Sequence, residues 1–317
     1  MAPIAAVPYA VGVLVVHGGV SIALGAWGLG VLVHSYSCFV NDLVDVDDDA
    51  QNPARASSPL VNGSIDRPAA LHAALLHVVA FSILLWALHP PAPSAAGLVG
   101  VWGLLSYGNV FQKRSTRISP VIMDQLCGVA LGAPVVVMAA FTGRPLPVSA
   151  WLLALSYGLQ LALANAAAGN IKDLDADRKA GRQTTAIRAG VEVNASLVVR
   201  ASGRYQLYCY ALQVGSVTAA FAAALLSGAD LLPTTCAALL VAVLGLRATY
   251  DVRQLVGGFR PCGPRGREPF IVVNLIVFVA AAVPVIGPMW GSGLVIGSFA
   301  WTAISTLVLL RWSGKPE

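Results

Sequence analysis

Eight of the 15 acidic residues in this 317-residue chain fall in two short stretches. The first is Asn41-Asp42-Leu43-Val44-Asp45-Val46-Asp47-Asp48-Asp49, the second Asn170-Ile171-Lys172-Asp173-Leu174-Asp175-Ala176-Asp177. On a helix turning about 100° per residue, Asn41, Asp45, Asp49 and Asp42 fall at about 0°, 40°, 80° and 100°, which is one face. Asp48 sits at its edge near about −20°, and Asp47, at about 240°, points away toward water. By the same geometry Asn170, Asp177 and Asp173 are expected within about 60° of one another, with Asp175 and Lys172 off that face. Aspartates at i and i+4 present two carboxylates to one point, the need of a hard cation. Mg²⁺ takes one or two carboxylates, keeps several waters and completes its shell with substrate phosphates. Gathered at one mouth, Asp42, Asp45, Asp49, Asp173 and Asp177 would repel one another unless cations lay between them. Two Mg²⁺ would cancel most of that charge, and a diphosphate would bridge the metals. Arg55, Lys113, Arg114, Arg178 and Arg182 are the cations available for such a diphosphate, with Asn41 and Asn170 beside the carboxylates.

The elements that must carry these residues are apolar. The chain is 57% hydrophobic and only 11% charged, against roughly 25% charged in a soluble domain. A soluble enzyme, a disordered chain and a nucleic-acid binder are poor readings; a polytopic membrane protein fits. A spanning helix needs about 20 apolar residues. Qualifying windows run over 67–89, 93–111, 119–142, 146–171, 203–227, 231–249, 269–287 and 290–311. Residues 3–41 hold no Lys, Arg, Asp or Glu and form one long span, or two short ones broken near His17-Gly18-Gly19. The length of this apolar run and the lack of a cationic start argue against a cleaved signal peptide. The expectation is an all-α bundle of about nine transmembrane helices, one domain over 1–317. Each acidic stretch lies at the end of a span. One side of the bundle collects every one of the 20 Lys and Arg except Arg144, so that side is expected to be cytoplasmic. The site would open to the cytoplasmic face of the cell membrane. Cys38, Cys127, Cys209, Cys236 and Cys262 show no CxxC spacing and imply neither disulfides nor zinc.

These residues carry a resemblance. Asn41-Asp42-x-x-Asp45-x-x-x-Asp49, then Arg55 and Ser58-Pro59-Leu60-Val61-x-Gly63, is similar to the first motif of the UbiA superfamily of intramembrane prenyltransferases. Asp173-x-x-x-Asp177-Arg178-x-x-Gly181, then Thr184-Thr185-Ala186-Ile187, resembles its second motif. Tyr107 with Lys113-Arg114 is similar to the family's Tyr-x-x-x-Lys element, two residues longer, and Asn274 stands where the family often has Asn. The resemblance implies helices around a cavity with both motifs facing each other at its mouth. It implies Mg²⁺-assisted ionisation of an allylic isoprenyl diphosphate by Asp42, Asp45 and Asp173. The prenyl chain then passes to a lipophilic acceptor; the alternative is cyclisation at the same site by a terpene cyclase, with no acceptor. Ser58 stands where aromatic prenyltransferases often have Arg, and no Lys or Arg precedes Arg55. A carboxylate-bearing acceptor would lack a buried partner, so an uncharged acceptor is expected.

Other residues weigh less. Asp124, about one and a half turns into its span, is an intramembrane acid and so a candidate for catalysis. Tyr107 could stabilise positive charge or bond the diphosphate. Tyr36 reads as core packing. His17, His34, His72, His77 and His89 share no ligand spacing and read as structural. A transporter without chemistry would place acids or broken helices at the bilayer midplane, whereas nearly all the acids here sit at span ends or in loops.

Overall fold

The computed structural model describes residues 2–51, 55–111, 117–194, 196–259 and 264–313. Lys113 and Arg114 lie outside the described residues. The N-terminal apolar stretch divides into α1 (Ala2–Leu14) and α2 (Val20–Asp49). The break falls at His17, whose φ is 54°, and the two glycines after it. α1 has 13 residues, about 20 Å of helix, short of the roughly 30 Å of hydrocarbon. α2, with 30 residues, runs through its apolar half and on into the first acidic stretch without interruption.

The chain continues through α3 (Arg67–Leu88), α4 (Ala92–Phe111), α5 (Pro120–Ala140) and α6 (Val148–Leu163). Asp66 starts α3 by accepting from the Ala69 amide at 2.7 Å, with Pro68 in the first turn. These are standard helix-start devices, since the first amides of a helix lack partners and proline needs none. α6 passes into a π-helical segment, Ala164–Gly169, and then the short helices α7 (Asn170–Lys172), α8 (Leu174–Lys179) and α9 (Thr185–Arg188). A two-stranded hairpin, β1 (Glu192–Val193) on β2 (Val199–Arg200), lies in what the sequence presents as a plain loop. α10 (Gly203–Leu225), α11 (Leu231–Val256), α12 (Pro264–Ile286) and α13 (Pro288–Ser313) complete the bundle.

Among the described residues, six helices are long and apolar enough to cross a membrane: Val20–Asp49, Arg67–Leu88, Pro120–Ala140, Val148–Lys172, Gly203–Leu225 and Leu231–Val256. The expected nine spans are therefore not all met by helices of that length and hydropathy. The all-α bundle itself is present.

Small residues let its helices close on one another. A Cβ on Gly128 of α5 would lie 2.4 Å from the Gly158 carbonyl of α6, and one on Gly132 would lie 2.4 Å from that of Ala154. Such contact is the means by which helices gain packing energy in lipid, where hydrophobic burial offers little. α1 packs on α2 and α5, α3 on α2, α4 on α5, and α10 on α6 and α11. At the end away from the acidic stretches, Arg144 Nη1 donates to the carbonyls of Val16 (2.6 Å) and His17 (3.1 Å). It thereby ties the α1–α2 turn to the α5–α6 turn.

Candidate active site

The face assignment for the first motif holds, because α2 is a continuous α-helix through Asp49. Asp47 is on the outer side, its side chain 78% exposed and paired with Arg67. Asp42, Asp45 and Asp49 lie close enough to act electrostatically on one another. Lys172 and Asp173, from the end of the α6 arm, act on Asp42 and Asp49 respectively. The two acidic stretches therefore converge at one end of the bundle.

The second motif departs from expectation. A single helix carrying Asn170, Asp173 and Asp177 on one face does not form. The π segment precedes it, and the helix breaks at Asp173, where φ is −103° and ψ 11°. Asp173 instead starts α8, its carbonyl accepting from the Asp177 amide at 2.8 Å. Asp177 and Asn170 are buried, 6% and 2% exposed. Asp175 is outside, its side chain 72% exposed, with Arg178 at 4.0 Å.

Cations interleave with these acids. Arg55 Nε lies 3.7 Å from Asp49, and Lys172 Nζ lies 3.5 Å from Asp173. Arg182 pairs with Asp48, a direct bond between the second-motif loop and the first-motif helix. Arg178 is turned elsewhere and donates to the Val191 carbonyl at 2.8 Å, anchoring the approach to the hairpin. The donor set is carboxylate oxygen, which suits a hard divalent cation rather than zinc or copper. Among the described residues no three acids, histidines or cysteines close into a ready-made metal cage.

Asp124 sits below this mouth at 1% exposure. Its carboxylate accepts from Thr185 Oγ1 at 2.5 Å, Asn165 Nδ2 at 2.7 Å and the Tyr208 hydroxyl at 3.4 Å. Those partners come from α9, the π segment and α10. Asp124 is thus the node that joins α5 to the second-motif loop. Asn165 and Tyr208 carry no sequence signal; Thr185 belongs to the stretch after Gly181 that the family motif includes. Tyr107 is 37% exposed, with its ring 4.8 Å from that of Phe111. Tyr36 stacks edge-on against Trp102 at 4.7 Å. It lines an apolar groove of about 610 Å³ between α3 and α4, walled by Phe81, Leu85 and Val99. On α2, Tyr36 lies about 220° round from Asn41, so this groove is on the far side from the aspartates.

Fold and site together define a polytopic helical membrane protein whose two acidic motifs meet at one end of the bundle. A sequence profile of the UbiA prenyltransferase family matches residues 5–257, and the chain belongs to that family. No curated protein matches the chain significantly by sequence. Solved structures share the fold. A UbiA homologue from Archaeoglobus fulgidus bound to GPP and Mg²⁺ is 16% identical, with a TM-score of 0.65 over 92% of this chain and 95% of that one. A UbiA homologue from Aeropyrum pernix K1 in its apo form is 19% identical, with a TM-score of 0.60 over 90% and 98%. A structure from work on digeranylgeranylglyceryl phosphate synthase in membranes is 16% identical, with a TM-score of 0.62 over 89% and 93%.

Proposed function

We propose that this protein is a Mg²⁺-dependent intramembrane prenyltransferase that ionises an allylic isoprenyl diphosphate and passes the prenyl chain to a lipophilic, uncharged acceptor. The observation that carries this is the convergence of the two acidic stretches, with Arg55, Lys172 and Arg182 set among the carboxylates. Mg²⁺ held by Asp42, Asp45, Asp49, Asp173 and Asp177 would neutralise the charge of a departing diphosphate. Arg55 and Lys172 orient that diphosphate, with Asn41 and Asn170 as neutral hydrogen-bonding partners. The Asn170 Nδ2 is buried without a well-formed hydrogen bond, and its side chain lies against the Asp124 carboxylate. Arg182, bonded to Asp48, holds the mouth together; Lys113, Arg114 and Tyr107 complete the candidate set. A site closed to bulk water would protect the allylic cation. Asp124 is assigned to the same machinery, through the loop it braces.

An uncharged acceptor is favoured because Arg55, the first cation in the chain, is engaged with Asp49 at the mouth. The relative with GPP and Mg²⁺ bound supports the substrate class. The Lys and Arg distribution supports a site that opens to the cytoplasm. The test is incubation of the purified protein in lipid nanodiscs with Mg²⁺ and C5 to C20 isoprenyl diphosphates, with and without neutral membrane lipids. A prenylated lipid that forms only with the added lipids supports transfer. A cyclic hydrocarbon or alcohol formed without them would identify a cyclase instead.

A further inference from the structure

The motif face of α2 continues below the aspartates. Taking Asn41 as zero at about 100° per residue, His34 falls at about 20° and Cys38 at about 60°, among Asp45, Asp49 and Asp42. The neighbours of α2 mark its other faces. Gly28 and Gly25 meet Leu84 and Leu88 of α3, Tyr36 and Ser37 meet Ser106 and Asn109 of α4, and Gly30 meets Ala6 of α1. Those contacts occupy about 140° to 340° by the same count. The open sector is the one that holds His34, Cys38 and the three aspartates, and across it lie Lys172 and Asp173. At the level of the aspartates it therefore faces the second motif, and no described side chain from another helix hydrogen-bonds His34 or Cys38. Cys38 is exposed within this sector and feels the charge of Asp42.

His34 Nε2 and Cys38 Sγ are 3.5 Å apart, a contact within one helical turn. With Nε2–H donating to sulfur, Nδ1 keeps its lone pair. Nδ1 has no protein partner among the described residues. At 1.5 Å rise per residue, Cys38 lies about 6 Å and His34 about 12 Å below Asp42 along α2. A leaving oxygen, the allylic carbon and an attacking atom, each about 3 Å from the next, span about 6 Å. The base that takes the proton of an attacking hydroxyl, one hydrogen bond further on, would stand about 9 Å below the leaving oxygen, between the levels of Cys38 and His34.

We propose that His34, steadied by Cys38, is the base of the transfer step: its Nδ1 accepts a hydrogen bond from the hydroxyl of an uncharged acceptor and takes that proton. This rests on the prenyltransferase reading above. The carbon–oxygen bond to the diphosphate breaks, and its electron pair leaves with the diphosphate. The acceptor's electron pair forms the new bond to the allylic carbon, from oxygen or from a ring carbon conjugated with it. The hydroxyl proton passes to the imidazole and from there to solvent. Residues 3–41 contain no Lys, Arg, Asp or Glu, so His34 is the base this helix offers below Asn41.

Two measurements test this. In a protein that keeps Cys38 alone, with Ala at 127, 209, 236 and 262, geranyl diphosphate with Mg²⁺ should slow alkylation of Cys38 by N-ethylmaleimide at least about fivefold. Equal rates with and without it would remove the pair from the cavity, whatever the activity. With radiolabelled geranyl diphosphate and neutral membrane lipids, His34→Ala and His34→Gln should each lower kcat by about a hundredfold, the low end for loss of a general base. Affinity for geranyl diphosphate by calorimetry should stay within about threefold of the parent protein, and His34→Gln should keep the parent KM for acceptor. Parent-like kcat in His34→Gln would overturn the base assignment alone. If the parent protein makes no labelled product from any C5 to C20 diphosphate, the prenyltransferase reading falls, and the proton transfer with it.

Discussion

Thr185→Val tests whether Asp124 shapes the site from outside it. Valine nearly matches threonine in shape, so the substitution removes one hydroxyl from the 2.5 Å bond to the Asp124 carboxylate and little else. Thr185 is 5% exposed and Asp124 1%, so water does not readily replace the lost partner. A hydrogen bond to a charged group contributes about 1.5–3 kcal/mol, and an average interhelical bond in membranes about 0.6 kcal/mol. The shortness of this bond and the two remaining donors on the same carboxylate favour the upper range, so we expect about 2 kcal/mol. That corresponds to roughly a 30-fold shift between a docked and an undocked α9. The released segment lies just after Asp177 and Arg182, so the mouth should loosen before the bundle does. The assay pairs a detergent melting curve, followed by tryptophan fluorescence, with prenyl transfer across a Mg²⁺ titration. A higher Mg²⁺ concentration for half-maximal turnover, with a modest fall in Tm, is expected, and Thr185→Ser should restore both. A Thr185→Val protein that matches its parent in Mg²⁺ titration and Tm would refute the bracing argument.

Removal of metal should abolish turnover, and Mg²⁺ should restore it; full activity after EDTA would sink the two-motif reading. Asp45→Ala and Asp173→Ala should each reduce turnover by orders of magnitude, measured by product formation with the Tm unchanged. Asp47→Ala should be mild because Asp47 pairs outward with Arg67, and equal losses at 45 and 47 would contradict the face assignment. Cysteines placed near Asp49 and near Arg144, in a cysteine-free background, should be labelled from the inside and the outside of cells respectively. In competition at fixed prenyl diphosphate, an uncharged phenol should be prenylated ahead of a hydroxybenzoate. A buried carboxylate without a partner costs several kcal/mol, so the preference should exceed about a hundredfold.

The first motif was legible in the sequence because α2 is regular, and regular helices convert spacing into faces without help from the rest of the fold. Asp45 and Asp47 could be separated on paper for that reason alone. The second motif was legible as chemistry and not as geometry. Its acids stand out by type and spacing, but the π segment and the break at Asp173 change their angles, and both arise from packing that periodicity does not encode. Asp124 stood out as an acid in an apolar span; its partners Asn165, Thr185 and Tyr208 are 41, 61 and 84 residues away and come together only in the fold. His34 read as structural because a histidine in an apolar helix usually is. Its meaning depends on which sector of α2 the neighbours leave open.

The π segment also bears on how the family's arm can tolerate change in length. A π turn holds about one more residue than an α turn. Deleting one residue within Ala164–Gly169 would let that stretch relax into ordinary α-helix. The residues after it would then keep close to their present phase, because the lost residue is the one the wider turn had taken up. A one-residue deletion in the regular helix of α6 has no such slack: everything after it would rotate by about 100° and draw back by about 1.5 Å. Asp173 would swing out of line with Asp49, and Asn165 would leave Asp124, although every candidate residue would still be present. The π segment is therefore where this arm can change length at least cost, and a one-residue deletion in α6 should be far more damaging than one among residues 166–169.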